Sequence, residues 1–122
     1  MYNIELYETS SGFCDVKDFL DSLRSKISTN KDARIQFYQA TQYIELLQQN
    51  GTNLPNTFVK HLDDEIWELR PGKNRIFFFF NHNGTYVLLH HFRKKTQKTP
   101  TREITKAKAE RYDYISRKEI QK

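Results

Sequence analysis

Arg70, Arg75, Lys94, Lys95 and Lys98 are the residues of this chain whose type and spacing could do chemistry. Residues 88–104, LLHHFRKKTQKTPTREI, open as an apolar run and end in a cationic cluster that leads into a helix start. A strand delivering lysines beside a helix N-terminus makes an anion-binding edge, and a polynucleotide backbone is an anion that calls for this much positive charge. Arg70 and Arg75 flank the turn Pro71-Gly72, so they are close in any register. The loop at Asn83 folds the following strand back, which predicts that Arg70, Arg75, Lys94 and Lys95 converge at one sheet end. Cations held 4–6 Å apart repel by roughly 1 kcal/mol or more per pair at a surface dielectric. A salt-bridged surface would relieve this by interspersing carboxylates, and Glu68 or Glu65 could neutralise part of the cluster. Otherwise the cluster reads as an anion site.

His90 and His91 are neighbours on a strand and point to opposite faces, so they do not readily share a metal ion. With His61 and His82 as the other two histidines and Cys14 as the lone cysteine, no metal and no cofactor are expected. His90 shares parity with Lys94 and is a candidate proton carrier, or else a satisfied structural histidine. Trp67 and the run Phe77–Phe80 read most simply as core, although an aromatic near the cations could stack on a nucleobase. The sequence holds no GxSxG, HExxH, P-loop or glycine-rich dinucleotide turn. What remains is cationic chemistry on phosphate.

The elements that must position these residues follow from periodicity. Asn3–Glu8 alternates as a strand. Asp15 is expected to cap a helix carrying Val16, Phe19, Leu20, Leu23 and Ile27 on one stripe. Asn30 is expected to cap a second helix, from about Lys31 to Gln49, that Asn50-Gly51 stops. A short joint makes the two an antiparallel hairpin. From Phe58 the pattern turns to strands: Phe58–Leu62 and Glu65–Arg70 as one region interrupted near Asp63-Asp64, then Asn74–Phe80, then Thr85–Arg93 after a loop whose Asn83-Gly84 suits positive φ. Ile76–Phe80 is apolar on both parities and should be the central strand. A last helix is expected to start at Thr99-Pro100, with Thr99 as its cap. The order predicts a single α+β domain over residues 1–122, helices on one side of a mainly antiparallel sheet.

The charge is unevenly spread. Net charge is +5 over 122 residues, but residues 93–122 hold eleven Lys/Arg against four Asp/Glu, whereas residues 1–92 hold nine against eleven. A solvated helix face would also account for such a run. No signal peptide or spanning segment is evident, which predicts a cytoplasmic protein with no membrane association.

HLDDEIWELRPGKNRIFFF (61–79) followed by LLHHFRKKTQKTPTREITKAKAER (88–111) resembles the HigB-type toxins of the RelE/ParE superfamily. The resemblance is close over the C-terminal half; the N-terminal strand and helical hairpin match in order only. It implies a RelE-like α+β fold: an antiparallel-rich sheet with an N-terminal helical hairpin on one side and a C-terminal helix. It further implies the toxin of a type II toxin–antitoxin pair, a metal-independent endoribonuclease that cuts mRNA on the ribosome. Its partner would be a HigA-like helix-turn-helix antitoxin. By the family pattern Arg70, Arg75, Lys94 and Lys95 are catalytic candidates with His90. Lys98, Arg93, Lys60, Trp67 and Arg102 are RNA-binding candidates. Glu103 also matches the motif. Three other readings stay open: a ParE-like gyrase inhibitor of the same fold, a non-catalytic basic RNA-binding module, and a degenerate toxin kept for antitoxin binding.

Overall fold

The computed structural model of the chain describes residues 1–120. Its elements are β1 (Asn3–Leu6), α1 (Asp15–Arg24), α2 (Lys31–Asn50), β2 (Val59–Asp63), β3 (Ile66–Leu69), β4 (Asn74–Asn81), β5 (Thr85–Arg93) and α3 (Thr101–Ile120). The strands form one sheet in the order β1-β5-β4-β3-β2. β2 to β5 run as an antiparallel meander, and β1 joins the edge of β5 in parallel. The α+β class is as the sequence predicts. The region before Pro71 resolves into two strands, because Asp64 takes a positive φ of 52° and turns β2 back on β3.

β4 is central, as its two-sided apolar pattern requires. Ile76 and Phe78 face one core with Val16, Phe19, Ala40 and Leu47 of α1 and α2. Phe77 and Phe79 face a second core with Ala107 and Tyr114 of α3. The helices therefore cover both faces of the sheet rather than one. The reason lies in β4 itself: two successive parities of large aromatic side chains cannot be removed from water by a single layer, and burying each such ring is worth about 1.5–3 kcal/mol.

A bulge shapes β5. Phe77 pairs with His90 and Phe78 with Leu88, leaving Leu89 as the extra residue. Beyond Leu88 no β1 residue pairs with β5, so the outer edge of β5 there lies open. Asp15 closes it. Its Oδ1 accepts the His91 N–H at 2.9 Å. Asp15 is thus the first residue of α1 rather than its cap; Cys14 takes the cap position and offers no side-chain bond. Asn30 does cap α2, its Oδ1 accepting from the Ala33 N–H at 3.0 Å. α3 starts at Thr101, later than expected, because the Thr99 hydroxyl is engaged by Glu68 instead of the helix.

Gly51 ends α2 at φ 61°, ψ −145°, a conformation open essentially to glycine alone. A Cβ there would meet the Tyr86 hydroxyl at 2.8 Å and the Tyr2 ring at 2.9 Å. Gly51→Ala should therefore cost roughly 2 kcal/mol by backbone strain alone. Urea unfolding measures it, and a midpoint equal to wild type would refute the assignment. Burial pushes the Asp15 carboxyl up, but the His91 bonds outweigh it and hold it below its ordinary value of 3.8. A depressed carboxyl stabilises the fold above its unfolded value and loses that contribution as pH falls through the folded one. Asp15→Asn keeps the acceptor without the charge, so its stability should fall less steeply than wild type below about pH 4 in acid denaturation.

Candidate functional site

Strand parity fixes which cations meet. With Phe77 and Phe79 facing α3, Arg75 on the same strand faces α3 as well. Its neighbours across the sheet are Phe92 of β5 and, diagonally, Glu68 of β3, which lies opposite Phe77 two residues along. Glu68 is fully buried. Its Oε2 lies 3.3 Å from Nε of Arg70 and 3.8 Å from Nε of Arg75. Its Oε1 accepts the Thr99 hydroxyl at 2.9 Å. Both Nε atoms are buried without a hydrogen bond of good geometry, so the carboxylate holds them by charge rather than by directed bonds.

The remaining donors are partly committed. Arg70 Nη1 donates to the Asn56 carbonyl at 2.8 Å. Arg75 Nη1 donates to the carbonyls of Gly72 at 2.7 Å and Asn74 at 2.9 Å. These bonds lock the guanidinium stems and leave Nη2 of each arginine uncommitted by them. Lys94 completes the group, its backbone N–H donating to the Lys73 carbonyl at 2.7 Å beside the β3–β4 turn. Burial lowers its pKa first, and Arg75, Arg70 and Lys60 add to this while Glu68 opposes it. The Arg75 guanidinium is lowered too, by burial and then by Arg70 against the pull of Glu68. Among the described residues, one carboxylate faces four cations at this corner: Arg70, Arg75, Lys94 and Lys60.

The structure thus brings Arg70, Arg75, Lys94 and Lys60 to one corner. Lys95 and Lys98 are exposed on the segment that leads from β5 to α3. Other candidates lie elsewhere. Trp67 packs on the opposite face, stacked with Phe78 and against the core under α1 and α2. Arg93 also turns to that face and donates to Gln36 of α2 at 3.0 Å. Arg102 is exposed in the first turn of α3, 3.7 Å from Glu103. The aromatic side chain that the sheet places beside Arg75 is Phe92, half-buried and stacked on Phe77. Its position was readable from its shared parity with His90, but its pairing with Arg75 depends on the hairpin register.

His90 does not reach the corner's surface. It is fully buried between β5 and α3, with Nδ1 2.5 Å from Glu110 and Nε2 3.0 Å from Glu103. Two ring nitrogens facing two carboxylates require two protons among three groups for both contacts to be hydrogen bonds. The imidazole is therefore a tie between the sheet and the first turns of α3. Its neighbour His91 turns the other way and stacks on Phe19 at 3.7 Å.

A family model for phage-derived proteins, described as Phage derived protein Gp49-like (DUF891), matches residues 28–112, more than half of the chain. The chain belongs to the Gp49-like family. This is a RelE/HigB-type toxin family of toxin–antitoxin systems, so membership implies an antitoxin partner. The matched span contains every residue of the cationic corner. No curated protein matches the chain. Among the described residues, no helix is long and apolar enough to cross a membrane.

The buried tie gives a test. Removing the imidazole by His90→Ala leaves Glu103 and Glu110 facing each other without their shared partner, which should cost about 3 kcal/mol. Adding Glu103→Gln and Glu110→Gln should recover part of that loss in urea denaturation. A His90→Ala protein as stable as wild type would show that the tie carries no load.

Proposed function

We propose that this Gp49-like toxin is an mRNA endoribonuclease that cuts in a ribosome-dependent manner, needs no metal, acts in the cytoplasm and is neutralised by a HigA-like helix-turn-helix antitoxin. The observation that carries the reading is the corner itself: two arginines with fixed stems, a lysine of lowered pKa, and a single carboxylate that leaves the group cationic. RNA supplies its own nucleophile. Its 2′-oxygen attacks the adjacent phosphorus, the 2′ proton passes to a base, and the 5′-oxygen leaves with a proton from an acid. The products are a 2′,3′-cyclic phosphate and a 5′-hydroxyl end.

Such a reaction needs charge stabilisation at phosphorus and proton carriers beside it. Arg70 and Arg75 suit the first task, since a guanidinium can address two phosphate oxygens at once. Lys94 suits the second, because a lowered pKa brings its proton exchange toward neutral pH. Lys95 and Lys98 extend the cationic surface along the segment before α3, where they would follow the backbone of the bound strand. Lys60, from β2, extends it on the other side. His90 is a supporting residue here, holding α3 against the strand that ends in Lys94.

The test is induction of the chain in bacteria with mRNA ends mapped by primer extension, beside a Lys94→Met control. Arg75→Ala is a weaker control, because Arg75 also holds the carbonyls of Gly72 and Asn74. New ends within translated codons, reduced about 100-fold in Lys94→Met, are expected for loss of a proton-transfer group. Growth arrest with intact mRNA would replace this reading by gyrase inhibition. Binding to RNA without arrest or cleavage would leave a basic module.

A further inference from the structure

We propose that Glu68 is the positioning residue of the cationic corner, a buried carboxylate that aims Arg70 and Arg75 together and pins the lysine-bearing segment through Thr99. The inference rests on the ribonuclease reading for its rate predictions, though not for its geometry. Glu68 is 1% exposed, so it does not meet substrate, and it is committed on both oxygens. One oxygen sits between the two Nε atoms. The other accepts from Thr99.

Each contact has a consequence. Two guanidiniums drawn to one oxygen are held near each other despite their repulsion. The carboxylate takes the Nε atoms and backbone carbonyls take Nη1, which leaves Nη2 of each arginine outside these contacts. Thr99 ends the exposed stretch that carries Lys95 and Lys98, and Lys94 begins it. The stretch is thus fixed at one end by the Lys94–Lys73 backbone bond and at the other by Glu68. A single side chain sets both the arginine pair and the lysine segment.

The charge of Glu68 matters separately from its shape. The groups that bear on Lys94 are Arg75 of β4, Glu68 of β3, Arg70 just after β3 and Lys60 of β2; of these Glu68 favours its protonated form. Glu68→Gln keeps the size of the side chain and the acceptor for Thr99, but presents an amide to the arginines. It should therefore loosen the arginine pair and lower the Lys94 pKa further.

The experiment compares wild type, Glu68→Gln and Glu68→Asp, with Thr99→Val and Thr99→Ser as a second pair. Two readouts are taken: the pH profile of RNA cleavage by induced or purified protein in a translating extract, and the NMR signals of the arginine Nε–H groups. Glu68→Gln should lower kcat 10-fold or more with a smaller change in KM. The limb of the profile that reports Lys94 should move to lower pH. The Arg70 and Arg75 Nε–H signals should lose their protection from exchange. Thr99→Ser should keep the wild-type rate and Thr99→Val should not. A Glu68→Gln protein with wild-type rate, profile and Nε–H signals would overturn the proposal. Reduced activity with an unmoved profile and intact Nε–H protection would overturn it too, since that pattern reports general destabilisation. If wild type cleaves nothing while the Nε–H signals still respond to Glu68→Gln, the ribonuclease reading falls and the positioning role stands.

Discussion

β4 is covered on both faces, and the rest of the molecule follows from that constraint. Phe77 and Phe79 on one parity and Ile76 and Phe78 on the other are all removed from water. Each face needs its own layer, so α1 and α2 pack on one side and α3 on the other. A side-chain period of two then leaves no freedom for the residues at the strand's ends. Arg75 must share a face with Phe77, and its cross-strand neighbourhood of Glu68 and Phe92 follows from the pairing. A slip of one residue would move Arg75 under α2 and scatter the corner.

The two faces are held by different forces. The α1–α2 face is an apolar core with Ala40, Leu47 and Val16 at its centre. Under α3 the apolar contribution is smaller, and polar ties take much of its place. The Tyr7 hydroxyl donates to Asp113 at 2.7 Å and the Tyr114 hydroxyl to Glu5 at 2.7 Å. Burial, then the accepting carboxylate, pushes each phenol up to about 12. His90 adds its two carboxylates, and Lys108 reaches Asp63 of the β2–β3 hairpin. Polar pairs of this kind specify position more than they add stability, because each has given up hydration to form. The helix that flanks the cationic corner is therefore held more by polar ties and less by apolar burial than its counterpart across the sheet.

Much of this was legible from residue types alone. Asn30 capping α2, the Pro71-Gly72 turn, the break at Asp63-Asp64 and the central β4 are local or period-two signals, and the chain obeys them. In the β4–β5 loop, Gly84 takes the positive φ while Asn83 does not. Where the structure departs from the local reading the cause is shared: a side chain with a plausible local use is taken by a distant partner. Asp15 could have capped α1, but the open edge of β5 claims it. Thr99 could have capped α3, but Glu68 claims it. Trp67 sits next in sequence to Glu68, yet alternation sends it to the other face. His90, which the sequence leaves open between proton carrier and structural histidine, is met by the acidic residues of α3, thirteen and twenty positions on. Local pattern does not encode which of two partners is nearer once the sheet closes.

The corner itself shows why a cation cluster need not be neutralised to be stable. Arg70, Arg75, Lys94 and Lys60 face one buried carboxylate, and the lowered pKa of Arg75 and Lys94 records that burial and repulsion exceed what Glu68 relieves. A second carboxylate would satisfy the group and remove its capacity for an external anion. None would leave the guanidiniums free to splay apart into solvent. One buried carboxylate, held against the Nε atoms of both arginines, keeps the cations together and leaves Nη2 of each outside the carbonyl bonds. In the proposed ribonuclease reaction an incoming phosphate would meet charge already assembled, so little rearrangement would be needed as negative charge grows at phosphorus, the condition under which fixed charges stabilise a transition state most.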